Sequence, residues 1–390
     1  MMNDGGSYVD YIDDATWQRL VAALLDSDGV KIISRRSQEI FVGLGAGTRL
    51  YRVAGMALDG GRRPLDWSMV IKVLTLDMLD FQSISTDQSS WDYWKREWHV
   101  YQSAWLQELP GPLVAPRCLA TGDILTETDQ ELAWIAMEDL RAAEHGPWPA
   151  GHFREVARHV GLFNGEYLDG RPMPVDPWLS HDWLRGWTEQ AEPLMEQLPT
   201  VASHPVAGRI FNPDVIDDLI ELWNVRDKLF EALDQLPQTL CHNDVFPRNL
   251  FVRGDGRPEQ SVAIDWAFCG QAPVGQELAV LVGATQAFME NRPERWDDLE
   301  RDCLDGYAAG LRQRGWKGSN EILLGYLLSI VLHFGIGAVP GVLGLTLTME
   351  HHDLVERVFG CPYDAVIANG AVLLRFQQRR IHQARELLGI

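Results

Sequence analysis

The stretch from Thr239 to Trp266 constrains this 390-residue chain more than any other part of it. It opens with Thr239-Leu240-Cys241, followed by His242-Asn243-Asp244-Val245-Phe246-Pro247-Arg248 and then Asn249-Leu250-Phe251-Val252. After Gly254-Asp255-Gly256 it closes with Ser261-Val262-Ala263-Ile264-Asp265-Trp266. Short apolar runs bounded by polar and turn-forming residues are strand signals, and a Gly-Asp-Gly between two of them turns the chain back. The pattern predicts strand, polar loop, strand, tight turn, strand, with Asp244 leaving the first strand and Asp265 ending the last. An isolated Asp-x-x-x-x-Asn also fits a turn or a helix cap. The flanking strands argue for a built loop instead.

Three side chains in this arrangement suit phosphoryl transfer. Asp244 can orient or deprotonate an acceptor hydroxyl, while Asn249 and Asp265 offer oxygen ligands to a magnesium ion bridging the phosphates of ATP. Here the sequence resembles the aminoglycoside phosphotransferase and choline kinase family, whose catalytic loop has the form His-x-Asp-x-x-x-x-Asn and whose metal aspartate sits in an Ile-Asp-Trp or Ile-Asp-Phe strand. The resemblance runs from about residue 30 to 290 and implies an α+β, bilobal, protein-kinase-like fold with a small β-rich N-lobe and a larger, mainly helical C-lobe. Two departures stand out. Asn243 occupies a position where glycine is common, and Glu277 replaces the aspartate usual in Gly-x-x-x-x-Asp-Leu-Ala. From sequence, Glu277 reads as a first-turn charge favoured by the helix dipole.

The N-terminal third adds a glycine-rich segment, Gly43-Leu44-Gly45-Ala46-Gly47, between two runs with strand character. Backbone N–H groups of such a turn can approach phosphates without a side chain in the way. A tight hairpin fits the same residues. A Rossmann turn does not, because Leu50-Tyr51-Arg52-Val53 continues as a strand rather than a helix, and no Gly-Lys-Ser/Thr follows to make a P-loop. Lys72 lies in the apolar strand Trp67 to Leu74, where an unpaired ammonium is costly. Its expected partner is Glu97, beside a helical stripe of Trp94, Trp98, Tyr101 and Trp105. The resemblance implies that Lys72 holds the α/β-phosphates. It also makes Met137-Glu138-Asp139-Leu140 a hinge, with Met137, Glu138 and Leu140 near adenine; by itself that segment is only a strand end.

Composition bounds the rest. A hydrophobic content of 46% with 23% charged residues is that of a globular protein, and 390 residues suit two lobes. We place their boundary near residue 141, at 1–140 and 141–390, before Gly146-Pro147-Trp148-Pro149. Helical periodicity is expected over 14–25, 153–164, 183–197, 213–233, 277–290, 296–314, 321–331 and 364–388. Five cysteines without Cys-x-x-Cys spacing, and an acidic N-terminus without an apolar core, read as a reduced, cytoplasmic chain lacking a leader. The segment 322–342 reads as a buried core helix. Net charge is −21, with 21 acidic and 12 basic side chains up to residue 140 and 34 and 22 beyond it. That field disfavours nucleic acid and anionic membrane as partners and favours a neutral or amine-bearing small molecule, although it also serves solubility.

Only eleven residues separate Asp265 from Glu277, which leaves no room for the long activation loop of a protein kinase. The expectation is therefore an ATP- and Mg2+-dependent kinase acting on a hydroxyl of a small polar molecule such as an aminoglycoside or amino sugar. A nucleotide-binding pseudokinase is the alternative. Within the C-lobe, Trp148, Trp178, Trp183, Trp187, Trp223 and Trp296 are candidates for lining an acceptor pocket, and His333 and His351-His352-Asp353 for core or cleft positions.

Overall fold

A computed structural model describes residues 7–40, 47–60, 63–76, 84–127, 129–142, 148–254, 259–347 and 352–389. Gly43 and Gly45 lie outside the described residues, as do Asp255, Gly256 and His351. The chain divides into two compact units: Met1–Glu108 with Ala115–Ala143, and Leu109–Val114 with Glu144–Ile390.

The first unit begins with α1 (Asp14–Leu25), whose N-cap Asp13 accepts the Thr16 amide at 2.7 Å, satisfying a donor the helix cannot. Strands β1 (Lys31–Ile40), β2 (Thr48–Leu58) and β3 (Pro64–Leu74) follow. Next come α2 (Arg96–Gln102) and α3 (Ala104–Gln107), then β4 (Leu113–Val114), which belongs to the second unit, then β5 (Cys118–Leu125) and β6 (Glu131–Glu138). Five of these strands form an antiparallel sheet in the order β1-β2-β3-β6-β5. Trp17, Leu20 and Val21 of α1 pack with Val53, Met69, Ile71, Trp134 and Ala136 into one core. Central β3 is buried from Val70 to Leu74, so Lys72 has nowhere wet to go.

The α2 segment differs from the sequence expectation. Its buried face is Arg96, Glu97, Val100 and Tyr101, while Trp94, Trp98 and Trp105 are only half-buried. The helix starts after Trp94 and is broken at Ser103, so the four aromatic residues never form one stripe. Amphipathic indoles tolerate such a boundary position: Trp98 donates to the Gly122 carbonyl at 3.2 Å and carries the Lys95 ammonium 4.6 Å above its ring.

The second unit is mainly helical. Its elements are α4 (Ala150–Leu168), α5 (Trp183–Glu189), α6 (Glu192–Met195), α7 (Leu198–Val201) and α8 (Pro213–Asp234), then β7 (Gln238–Cys241), β8 (Leu250–Arg253), β9 (Gln260–Ala263) and β10 (Gly270–Pro273). Helices α9 (Gln276–Ala287), α10 (Trp296–Gln313), α11 (Asn320–Ile330), α12 (Val339–Leu347), α13 (His352–Phe359) and α14 (Tyr363–Leu388) complete it. Where one helix was expected over 183–197 there are three short ones, because Pro193 and Pro199 sit in the first turns of α6 and α7 and cannot donate to a continuing helix. Residues 331–336 form a π-helical turn after α11. Among the described residues, Asn320–Gly344 is long and apolar enough to cross a membrane, and 83% of its 18-residue apolar stretch is buried inside the fold.

Two small sheets frame the predicted loop. β7 pairs with β10, and β9 lies between β4 and β8. On β10, Gly270 is required by close approach: a Cβ there would stand 1.9 Å from the Ser180 carbonyl oxygen.

Candidate active site

The loop from β7 to β8 is held by its own side chains. Asp244 and Asn249 meet directly, the Asn249 amide nitrogen donating to the Asp244 carboxylate at 2.6 Å and to its backbone carbonyl at 3.1 Å. Because Nδ2 is committed to Asp244, the carbonyl Oδ1 is the Asn249 atom left for a cation. Asp265 is brought alongside by backbone pairing: Leu250 stands opposite Ala263, and the Ile264 amide donates to the Asn249 carbonyl at 2.9 Å. An amide oxygen and a carboxylate are hard donors that fit a magnesium ion keeping most of its waters. Asp265 itself has φ +63° and Asn243 φ +65°, a left-handed backbone that non-glycine residues adopt where surroundings enforce it.

His242 supplies part of that enforcement. Fully buried, it accepts the Asp244 amide on Nδ1 at 3.2 Å, so its Nε2 carries the proton and donates to the Ile264 carbonyl at 3.0 Å. One ring thus links the residue after β7 to the residue before Asp265, and it packs on Trp266 with centroids 4.4 Å apart.

Glu277 corrects the sequence reading. It does lie in the first turn of α9, but it is fully buried and its Oε1 accepts the His242 amide at 2.5 Å. Burial raises its pKa from 4.5 to about 7; hydrogen bonds from the backbone of His242 and Asn243, and from the side chains of Cys241 and Asn164, pull it back only partly. The longer side chain reaches the loop. Gln276 reaches it too, donating to Asn243 Oδ1 at 2.8 Å, while Asn243 Nδ2 donates to the Phe268 carbonyl at 3.0 Å.

In the first unit, Lys72 Nζ lies 2.5 Å from Glu97 Oε2, and both side chains are buried. Lys72 stands in register with Leu50 on β2 and Ile135 on β6, which fixes its depth in the sheet. Of the glycine-rich segment, Gly47 is described, with φ +59° and its carbonyl accepting the Thr75 amide at 2.6 Å. Met137 lies within the sheet opposite Val70 and Cys118, and the Glu138 amide is spent on the Arg117 carbonyl. Leu140 lies beyond the sheet in a 3-10 turn. Between them Asp139, passed over in the sequence, accepts from Ser68 and Arg52. Burial pushes its carboxyl up, but those hydrogen bonds and the charges of Arg52 and Arg141 outweigh it and hold it below the ordinary range.

Sequence reasoning also missed how the far C-terminal helices grip the loop. Arg248, between Asp244 and Asn249, pairs with Glu290 at 2.7 Å, donates to the Val358 carbonyl at 2.9 Å and lies 4.5 Å over the Phe288 ring. Phe246, Phe288 and Phe359 stack in sequence at 5.3 and 5.7 Å. The only available signal was an arginine inside the loop, which names no partner. The tryptophan candidates divide: Trp148, Trp178, Trp183 and Trp296 are buried, whereas Trp187 and Trp223 are half-buried. His333 packs edge-on against Trp183 and Trp187 and is buried, which drives its pKa down to about 3.

A five-stranded antiparallel sheet with a buried lysine–glutamate pair, followed by a helical unit carrying this loop, is the α+β architecture of kinase-like proteins. The sequence profile of the phosphotransferase enzyme family matches residues 96–316, more than half of the chain, and the protein belongs to that family. Among solved structures, a microcompartment-associated aminopropanol kinase aligns over 95% of this chain and 98% of its own, with 13% identity and a TM-score of 0.56. An amicoumacin kinase in complex with AMP-PNP and Ca2+ aligns over 93% and 96%, with 13% identity and a TM-score of 0.48. A Plasmodium vivax ethanolamine kinase aligns over 97% and 95%, with 12% identity and a TM-score of 0.44. No curated protein sequence matches the chain.

Proposed function

We propose that this phosphotransferase is a small-molecule kinase that moves the terminal phosphoryl group of ATP, with Mg2+, to a hydroxyl of a neutral or amine-bearing acceptor. The observation that carries the reading is the Asp244–Asn249 hydrogen bond next to Asp265, since it fixes a carboxylate beside an oxygen pair suited to a metal. Asp244 accepts the acceptor hydroxyl's proton as that oxygen attacks. Asn249 and Asp265 would hold the metal, which neutralises phosphate charge when bound. Lys72, kept in place by Glu97, would pair with the α/β-phosphates, Gly43 to Gly47 would cover the nucleotide, and the chain near Met137, Glu138 and Leu140 would meet adenine. With the Glu138 amide already engaged, backbone contacts there fall to residues beyond the sheet.

Charge and one shared fold support the acceptor class. A net charge of −21 concentrates cations near the protein, and the aminopropanol kinase with the same fold is named for an amino alcohol. We carry that class over as an amino alcohol, amino sugar or aminoglycoside. The pseudokinase alternative has no chemical need for Asp244, Asn249, Asp265 and Lys72 together. ADP release measured over a panel of amino alcohols, amino sugars, aminoglycosides and matched uronic acids tests the proposal. Magnesium-dependent turnover with an amine-bearing hydroxyl compound is expected. Preference for the acid of a matched pair would reject the acceptor class, and failure to bind ATP or GTP at millimolar concentration would reject the kinase.

A further inference from the structure

We propose that Asn243, clasped by Gln276, is a positioning residue that locks the segment carrying Asp244 to the segment following Asp265; this rests on the kinase reading above. Asn243 and Gln276 are buried, at 0% and 3% exposure. The Asn243 side chain spends its oxygen on Gln276 Nε2 at 2.8 Å and its nitrogen on the Phe268 carbonyl at 3.0 Å. Phe268 is three residues beyond Asp265, so one amide spans the two loops that bear the proposed base and metal ligand. Its backbone is left-handed, φ +65°, which glycine adopts without strain. Glycine would supply that conformation and nothing else. Asparagine tolerates it and adds a two-sided clasp, with no charge to desolvate.

The support behind Asn243 is equally local. Gln276 and Glu277 are consecutive at the start of α9, behind Gly275 with φ 94°. Gln276 holds the Asn243 side chain, and Glu277 takes the backbone amides of His242 and Asn243. His242 bridges the same two loops through the Ile264 carbonyl, so the Asn243 clasp is a second, independent tie on the other side of Asp265. Added to the backbone pairing of Cys241 with Gly270 and of Ile264 with Asn249, these two side-chain ties fix the orientation of one loop against the other on both sides of Asp265.

The test uses the full chain with two variants. Asn243→Gly keeps the backbone and deletes the clasp, but strands the Gln276 amide and takes a donor from the Phe268 carbonyl; Asn243→Gly with Gln276→Leu removes the stranded amide, recovering part of the stability without restoring the clasp. In the double variant we expect kcat to fall roughly 10- to 100-fold with KM for ATP nearly unchanged, the scale of misplaced reacting groups. Hydrogen–deuterium exchange should quicken in residues 264–270 although the substitutions lie elsewhere. Wild-type kcat together with wild-type exchange at 264–270 in the double variant overturns the proposal. The exchange readout needs no turnover, so a wild-type protein that releases no ADP rejects the kinase reading and leaves the clasp to be decided by exchange alone.

Discussion

Replacing Glu277 with glutamine should change how stability depends on pH, in a direction set by burial. The carboxyl is fully buried and its pKa stands at about 7 against an ordinary 4.5. Below pH 4.5 it is protonated in folded and unfolded chains alike, and its contribution is fully present. Between 4.5 and 7 the folded protein keeps a proton that the unfolded chain has released, so stability falls as pH rises; above 7 both states are ionised and the loss is complete. A shift of that size amounts to about 3 kcal/mol. Glutamine keeps the shape and an acceptor oxygen for the His242 amide but does not titrate. The wild-type minus Glu277→Gln difference in unfolding free energy should therefore drop by about 3 kcal/mol from pH 4.5 to 7.5 and then level off. Urea denaturation of both proteins at half-unit pH steps, followed by tryptophan fluorescence, measures it. A difference that stays flat, or rises with pH, would refute the reasoning: it would mean that the loop amides hold Glu277 ionised despite its burial.

Two further perturbations probe the scaffold. Lys72→Met takes the ammonium away from the buried Glu97 carboxylate and should cost about 3 kcal/mol, whereas Lys72→Met with Glu97→Leu should recover most of that; a double variant as unstable as the single one would contradict the pairing. Gly270→Ala drives a methyl group into the Ser180 carbonyl and should lose about 2 kcal/mol in denaturant melts, while wild-type stability would show that β10 has room to shift.

What the sequence made legible was local. The helices over 153–164, 213–233, 296–314 and 364–388 lie within or beside α4, α8, α10 and α14, because apolar residues recur at helical spacing and caps such as Asn212 mark a start. Asp244, Asn249 and Asp265 stood out because a short spacing and three strands define them, and the fold brings Asn249 onto Asp244 and its backbone onto that of Ile264. The remainder depended on contacts that spacing does not encode. Glu277 reaches back 35 residues to His242, and its position in a first turn offered a sufficient local explanation. Arg248 finds its carbonyl 110 residues onward at Val358. On α2 the tryptophans drew attention to one face while Arg96, fully buried and donating to the Trp91 carbonyl at 2.8 Å, marks the other; hydrophobicity alone never assigns arginine to a core. Apolar periodicity draws one helix over 183–197, but Pro193 and Pro199 have no amide to donate and break it.

In the proposed reaction Asp244 takes the proton while Asp265 and Asn249 hold the metal-bound nucleotide. Calorimetric affinity for ATP with Mg2+, measured with turnover on the best acceptor for Asp244→Asn, tests it most directly. Nucleotide affinity within about twofold of wild type and turnover lower by roughly 10²- to 10⁴-fold are predicted; wild-type turnover in Asp244→Asn would contradict the claim.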